Sequence, residues 1–376
     1  MLRHPRVVFE ALLIGIFCVG IFLPGAMLLA GYGTEPTPAE ARATILPRTL
    51  TADYPVAFYR YFRSRFGLRE WLIRRHALLK FKWLGLSSSP EVLVGDQGWL
   101  YYWSDGEPDC CAATRPFTQD DLWQWQVTLE TRRDWLARHG ARFLFVIVPD
   151  KHTVYPEHLP RHLRHTNRQS RLDQLVSHLR ERSDVEVVDL RQSLLRQKNR
   201  CQLYFKLDSH WDQVGAFIAD QEIASRLSRW FPRVRPPGWD TVEVTPRRRE
   251  QHDLLGLLGM HKDDLVEIVP NITPKRKRRA RINYGDRQEL ETGSVIVDLV
   301  TSEMPDAEIP RAVILRDSFG MSLVPFLAEH FGHATYLWTT DPTLKQIERE
   351  RPSVVIWEIT ERFLMHPVPK PWADAG

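Results

Sequence analysis

Two short stretches carry residue types that can do chemistry together. Ser318 lies in Arg316-Asp317-Ser318-Phe319-Gly320, and Asp208 and His210 lie in Lys206-Leu207-Asp208-Ser209-His210-Trp211. A serine hydroxyl is a weak nucleophile until a base takes its proton. An Asp-x-His pair on an irregular segment supplies that base, because the carboxylate folds back onto Nδ1, fixes the tautomer and leaves Nε2 facing outward. Taken singly, each residue has a plainer role. Ser318 suits a helix N-cap, Asp208 the cap of a helix starting near Asp212 or Gln213, and His210 a packed surface position.

The elements that must position these residues follow from the apolar pattern. Continuous apolar runs over 142–148, 185–190, 312–315, 335–338 and 354–359 read as buried strands, and they alternate with helical patterns over 120–139, 169–182 and 213–230. That alternation predicts an α/β fold with a mostly parallel sheet covered on both faces. Working loops then lie beyond the carboxyl ends of the strands. Ser318 follows the strand over 312–315 and precedes an amphipathic segment, so the backbone N–H of Ser318 or Phe319 is the expected first donor to an oxyanion. Lys151 and Tyr155 follow the strand over 142–148, where they line an acceptor site or, for Tyr155, pack. Residues 232–310 break the rhythm and read as an insertion. They carry the tract Lys275-Arg276-Lys277-Arg278-Arg279-Ala280-Arg281, read as a solvated loop or as a contact for an anionic glycan or lipid head groups.

Toward the N-terminus, Arg3 and Arg6 precede an apolar run over 11–30, the length a bilayer-spanning helix needs. The positive-inside rule keeps the arginines in the cytoplasm and sends the remaining chain across; a cleavable signal ending near Leu28-Leu29-Ala30 is the competing reading. Residues 33–47 suit a spacer. Residues 48–86 read as two amphipathic helices meeting at Arg65-Phe66-Gly67, lying on lipid or, preferably, packed on the catalytic domain. Residues 91–103 alternate around Gly95-Asp96-Gln97-Gly98 as a hairpin does. The expected organisation is an anchor over 1–31, a spacer and membrane-proximal region over 32–115, and a catalytic domain over 116–376 with the insertion at about 232–310.

Composition narrows the function. A formal net charge of +4 on 376 residues gives no general affinity for nucleic acid. Cys18, Cys110, Cys111 and Cys201 have no metal-ligand spacing such as CxxC, so a zinc site is not expected, and no metal or cofactor is assigned. Outside the cytoplasm a bridge from Cys110 or Cys111 to Cys201 becomes available. Thirteen tryptophans are enough for core packing with some left as sugar platforms.

Lys151 with Tyr155-Pro156-Glu157, the segment Asp208-Ser209-His210-Trp211, Asp317-Ser318-Phe319-Gly320 and the closing Glu358-Ile359-Thr360-Glu361-Arg362 resemble the SGNH-hydrolase-like alginate O-acetyltransferase family. Arg65-Phe66-Gly67-Leu68-Arg69 and the stretch from Val92 to Leu100 extend the resemblance, which spans most of residues 50–365. It implies a three-layer SGNH-hydrolase-like domain in circularly permuted motif order, since the Asp/His pair precedes the serine. It further implies an inner-membrane protein with a periplasmic enzyme that acetylates a polysaccharide. Ser318 would be acetylated, His210 and Asp208 would activate it, and a multi-spanning membrane acyltransferase would deliver the acetyl group. Lys151, Tyr155, Trp211 and Arg316 complete the expected substrate-contacting set. Arg316 stands where glycine is common in the wider superfamily, so it would crowd or charge the site. Two other readings stay open: an acetylesterase with the same triad, and a non-catalytic glycan-binding scaffold.

Overall fold

In the computed structural model the described residues are 5–32, 46, 49–164, 168–285, 288–289, 295–296, 299–304, 309–339 and 341–372. Arg3 and, apart from residue 46, the spacer expected over 33–47 lie outside them. The described chain divides into two units, residues 1–88 with 259–261 and residues 89–258 with 262–376.

In the first unit, helix α1 spans Pro5–Leu29, and its stretch Val7–Leu29 is apolar and long enough to cross a bilayer. Helices α2 (Tyr54–Arg65) and α3 (Arg69–Leu79) meet at Phe66-Gly67, as the aromatic and basic pattern predicts.

The second unit is built on apolar strands. A hairpin of β1 (Val92–Val94) and β2 (Leu100–Tyr102) turns at Gly95–Gly98. Strands β3 (Arg142–Val148), β4 (Val187–Asp189), β11 (Arg311–Arg316), β12 (His333–Trp338) and β13 (Val354–Thr360) form five parallel neighbours in the order β4-β3-β13-β11-β12. Successive side chains along a strand point to opposite faces, and both faces are covered. Leu144, Val146, Ala312, Ile314 and Ile356 enter one core, whereas Phe143, Phe145, Val313, Leu315 and Trp357 enter the other. The second core is closed by α4 (Gln119–Arg138) and α5 (Arg171–Arg182), each opened by a capping box at Thr118 or Ser170. The first is closed by α6 (Gln213–Leu227).

Residues 232–310 do more than interrupt this layout. They form an antiparallel hairpin of β5 (Val242–Arg249) and β6 (Glu267–Pro274), and they add β7 (Arg281–Tyr284) and β10 (Val300–Glu303) to the sheet beyond β12 in antiparallel sense. A small pair, β8 (Gln288–Glu289) and β9 (Val295–Ile296), lies between them in sequence. The sheet is therefore mixed, with its parallel part centred on β13 and β11.

Among the described residues all four cysteines are free thiols. Cys110 and Cys111 are buried in the short helix Glu107–Ala112, and no bridge to Cys201 forms.

Candidate active site

Strand β11 ends at Arg316, and the turn that follows is fixed from both sides. Asp317 Oδ1 accepts from Phe319 N–H at 2.8 Å, while Asp317 Oδ2 accepts from the Thr360 amide at 2.7 Å and its hydroxyl at 2.5 Å. Asp317 N–H donates to Glu358 Oε2 at 3.2 Å. Burial, and then the charge of Asp317, raise Glu358 well above the ordinary carboxylate range. Gly320 is needed here because a Cβ would stand 2.6 Å from Arg316 Cβ and 2.8 Å from Glu358 Oε2. Ser318 is left half-buried at the strand end, with no side-chain capping bond.

The Asp208–His210 segment is shaped by a narrow reversal before α6. Tyr204 and Trp211 form an isolated bridge, and Phe205 N–H donates to the His210 carbonyl at 3.1 Å. The capping role falls to Asp212, whose Oδ1 accepts from the amides of Val214 and Gly215 at 2.8 and 3.0 Å. Asp208 is thereby released for His210. Gly215 allows the close approach of helix to loop, since a Cβ there would meet the Leu203 carbonyl oxygen at 2.5 Å.

The two segments converge. His210 Nδ1 lies 2.8 Å from Asp208 Oδ1, and His210 Nε2 lies 2.8 Å from Ser318 Oγ. A carboxylate only accepts hydrogen bonds, so Nδ1 carries the proton and Nε2 turns its lone pair to the hydroxyl. Burial alone would raise Asp208, but the hydrogen bond and charge of His210, with the charge of Arg249, hold its carboxyl well below the usual range. The imidazole also packs tilted against the Phe319 ring, 4.9 Å between centroids.

Sequence reasoning missed the groups that surround this pair. Arg249, at the end of β5, donates to Asp208 Oδ2 at 3.0 Å, and its guanidinium lies 3.9 Å from the Phe205 ring centre. Asp253 accepts from the Ser209 amide at 2.9 Å and from the Ser209 hydroxyl, and its Oδ2 is 3.6 Å from His210 Nδ1. Glu267 on β6 accepts from the amides of Lys206 and Leu207 at 2.7 and 3.3 Å. All three come from residues 232–310, where no periodic signal links them to the DxH segment.

The four residues expected to touch substrate are placed elsewhere, and each is buried. Lys151 Nζ donates to the carbonyls of Leu100 and Asp208 at 2.5 and 2.6 Å, tying β2 to the DxH segment, and burial lowers its pKa to about 8. The Tyr155 hydroxyl accepts from the Leu203 amide at 3.0 Å. Trp211 Nε1 donates to the Phe319 carbonyl at 3.1 Å and so joins the two converging segments. Arg316 Nη1 donates to the Asp317 carbonyl at 3.1 Å beside the Trp338 ring, rather than charging the open site. These side chains hold the loops in position, because each meets a backbone group that burial would otherwise leave unpaired. The expectation for Phe319 N–H also changes, since Asp317 already occupies that donor.

An open pocket of about 570 Å³ faces Ser318 and His210, with Arg247, Arg248, Asn271 and Met321 among its walls. The closing motif lies behind the site. Glu361 accepts from the Asp150 amide at 3.1 Å, and Arg362 N–H donates to Asp150 at 2.7 Å, pinning the loop after β3 to the end of β13.

A mixed α/β sandwich with a serine at the end of a central strand is an SGNH-hydrolase-like arrangement. The chain belongs to the family described as "SGNH hydrolase-like domain, acetyltransferase AlgX", which matches residues 92–300, more than half its length. It is 25% identical over 382 aligned positions to the probable alginate O-acetylase AlgJ of Pseudomonas syringae, covering 97% of this chain and 89% of that one. Against the probable alginate O-acetylase AlgJ of Pseudomonas aeruginosa the identity is 22%, covering 89% and 86%. Among solved structures, Bacillus cereus PatB1 shares the fold with a TM-score of 0.53 at 18% identity, covering 73% of this chain and 96% of that one.

Proposed function

We propose that this chain is an extracytoplasmic O-acetyltransferase that moves acetyl groups onto hydroxyls of an exported polysaccharide through an acetyl-serine intermediate. The observation that carries this reading is the line Asp208 Oδ1, His210, Ser318 Oγ, with both hydrogen bonds at 2.8 Å. It accords with the family's acetyltransferase description and with the alginate O-acetylase names of the relatives.

In the first half-reaction His210 Nε2 takes the Ser318 proton as Oγ attacks the acetyl carbonyl. The carbonyl π pair moves onto oxygen, and the Ser318 N–H is the candidate backbone donor to receive that charge, since Asp317 already takes the Phe319 N–H. Collapse breaks the bond to the donor's leaving group, which departs with the proton from the imidazolium. In the second half-reaction a glycan hydroxyl gives its proton to Nε2 and attacks the acetyl-serine. The ester forms on the sugar and the proton returns to Ser318 Oγ. Asp208, ionised throughout, stabilises each imidazolium.

In this reading α1 is a single-pass anchor, residues 116–376 carry the chemistry on the periplasmic side, and a multi-spanning membrane acyltransferase supplies the acetyl group. The test is the purified full chain in detergent with an activated acetyl ester and oligosaccharide acceptors, beside its Ser318→Ala variant. Acetylated sugar by mass spectrometry with the parent chain, and none with Ser318→Ala, is expected. Free acetate alone with every acceptor would make the protein an esterase. Undiminished sugar acetylation by a folded Ser318→Ala variant would end the triad reading.

A further inference from the structure

Helices α2 and α3 carry an unusual surface for a unit outside a core. Trp83 is 85% exposed, Tyr59 60% and Trp71 52%, and Leu79, Leu84 and Leu86 are exposed beside them. Tyr54, Phe58, Phe62 and Phe66 stack four residues apart along α2, with ring centres 6.0, 6.3 and 5.7 Å apart. Basic residues dominate the same stretch: residues 54–86 hold eight Lys or Arg against the single Glu70, and Arg60, Arg63, Arg75 and Lys82 are exposed. Exposed aromatics among cations, with almost no acid, match the boundary between acyl chains and phosphate head groups.

The depth of this surface follows from its contacts with α1. Gly67 N–H donates to the Pro24 carbonyl at 3.2 Å, and a Cβ at Gly67 would stand 2.4 Å from Met27 Cβ. A Cβ at Gly25 would meet Phe62 at 3.9 Å. At 1.5 Å per residue, Pro24 and Met27 stand about 26 and 30 Å along the helix from Val7. The hydrocarbon layer is about 30 Å thick. A span that enters near Val7 therefore places the apex Phe66-Gly67 at the far boundary of that layer.

We infer that α2, α3 and the following turn through Leu86 form a membrane-interface element, seated among the acyl-chain ends and anionic head groups of the leaflet into which α1 emerges. Trp71 and Trp83 are its aromatic anchors, and Arg60, Arg63, Arg75 and Lys82 meet the phosphates. The inference rests on α1 crossing the bilayer and not on the triad.

The test uses the full chain reconstituted in phosphatidylcholine and phosphatidylglycerol vesicles whose acyl chains are brominated near the head group. Bromine quenches tryptophan only on close approach. Part of the emission is expected to be quenched relative to unbrominated vesicles, and that part is lost in the Trp71→Phe/Trp83→Phe variant. Equal quenching of both chains, or none while the chain stays in the membrane, overturns the proposal; the latter is the result if a partner protein covers this face. Release of the chain by alkaline carbonate would instead remove the anchor reading, and the interface element with it.

Discussion

Arg249 Nη2 stands 3.0 Å from Asp208 Oδ2, the carboxylate oxygen that His210 does not use. One oxygen thus faces the imidazole and the other a guanidinium from a distant hairpin. Arg249→Gln removes a charge that lowers the Asp208 pKa, so Asp208 should take up its proton at higher pH in the variant, read from the carboxyl-carbon shift of labelled aspartate. The turnover loss should be about tenfold, the low end for a charged hydrogen bond because Arg249 is 35% exposed. An unmoved Asp208 titration would show that Arg249 only packs.

Gly320 offers a test of how tightly the serine turn is held. The Cβ of Gly320→Ala would lie 2.6 Å from Arg316 Cβ, and neither atom is the free end of a flexible chain. Overpacking of this kind costs about 1–3 kcal/mol. A melting temperature lowered by several degrees, with a larger fall in ester turnover as Ser318 shifts, is the expected result. A variant as stable and active as the parent would contradict the packing described.

The buried pair Glu107 and His152, 2.8 Å apart, sets a pH window for stability. Burial opposes its charge, but Glu107 outweighs burial and raises His152 to about 9, while His152 in turn lowers Glu107. His152 therefore holds its proton more tightly folded than unfolded, and its contribution is complete below about 6.5 and lost as pH rises through about 9. Glu107 contributes above about 4.3 and loses its part as pH falls. Melting curves from neutral to alkaline pH should fall more steeply for the parent chain than for His152→Gln. Parallel curves would rule the pair out as the source.

Much of the fold was legible because continuous apolar strands announce themselves: the runs over 142–148, 312–315 and 354–359 lie inside β3, β11 and β13, with no end off by more than a residue. Ser318, His210 and Asp208 were legible as a set because a carboxylate two residues from a histidine can reach its ring without help from the fold. Arg249, Asp253 and Glu267 were not, since only the β5–β6 pairing brings them to the DxH segment. Lys151 misled for a related reason. A lysine after a strand resembles a substrate contact, and only the convergence of the Leu100 and Asp208 carbonyls shows where its ammonium goes.

Ser318 and His210 are 108 residues apart in the chain, and the segments between them supply β5, β6, β7 and β10. Closing a loop of that length costs more chain entropy than forming a local contact, and such non-local pairings form late. In the proposed reading, a polypeptide still being threaded or refolding thus carries an inert hydroxyl, and the nucleophile would come into being only once the sheet brings Ser318 to His210.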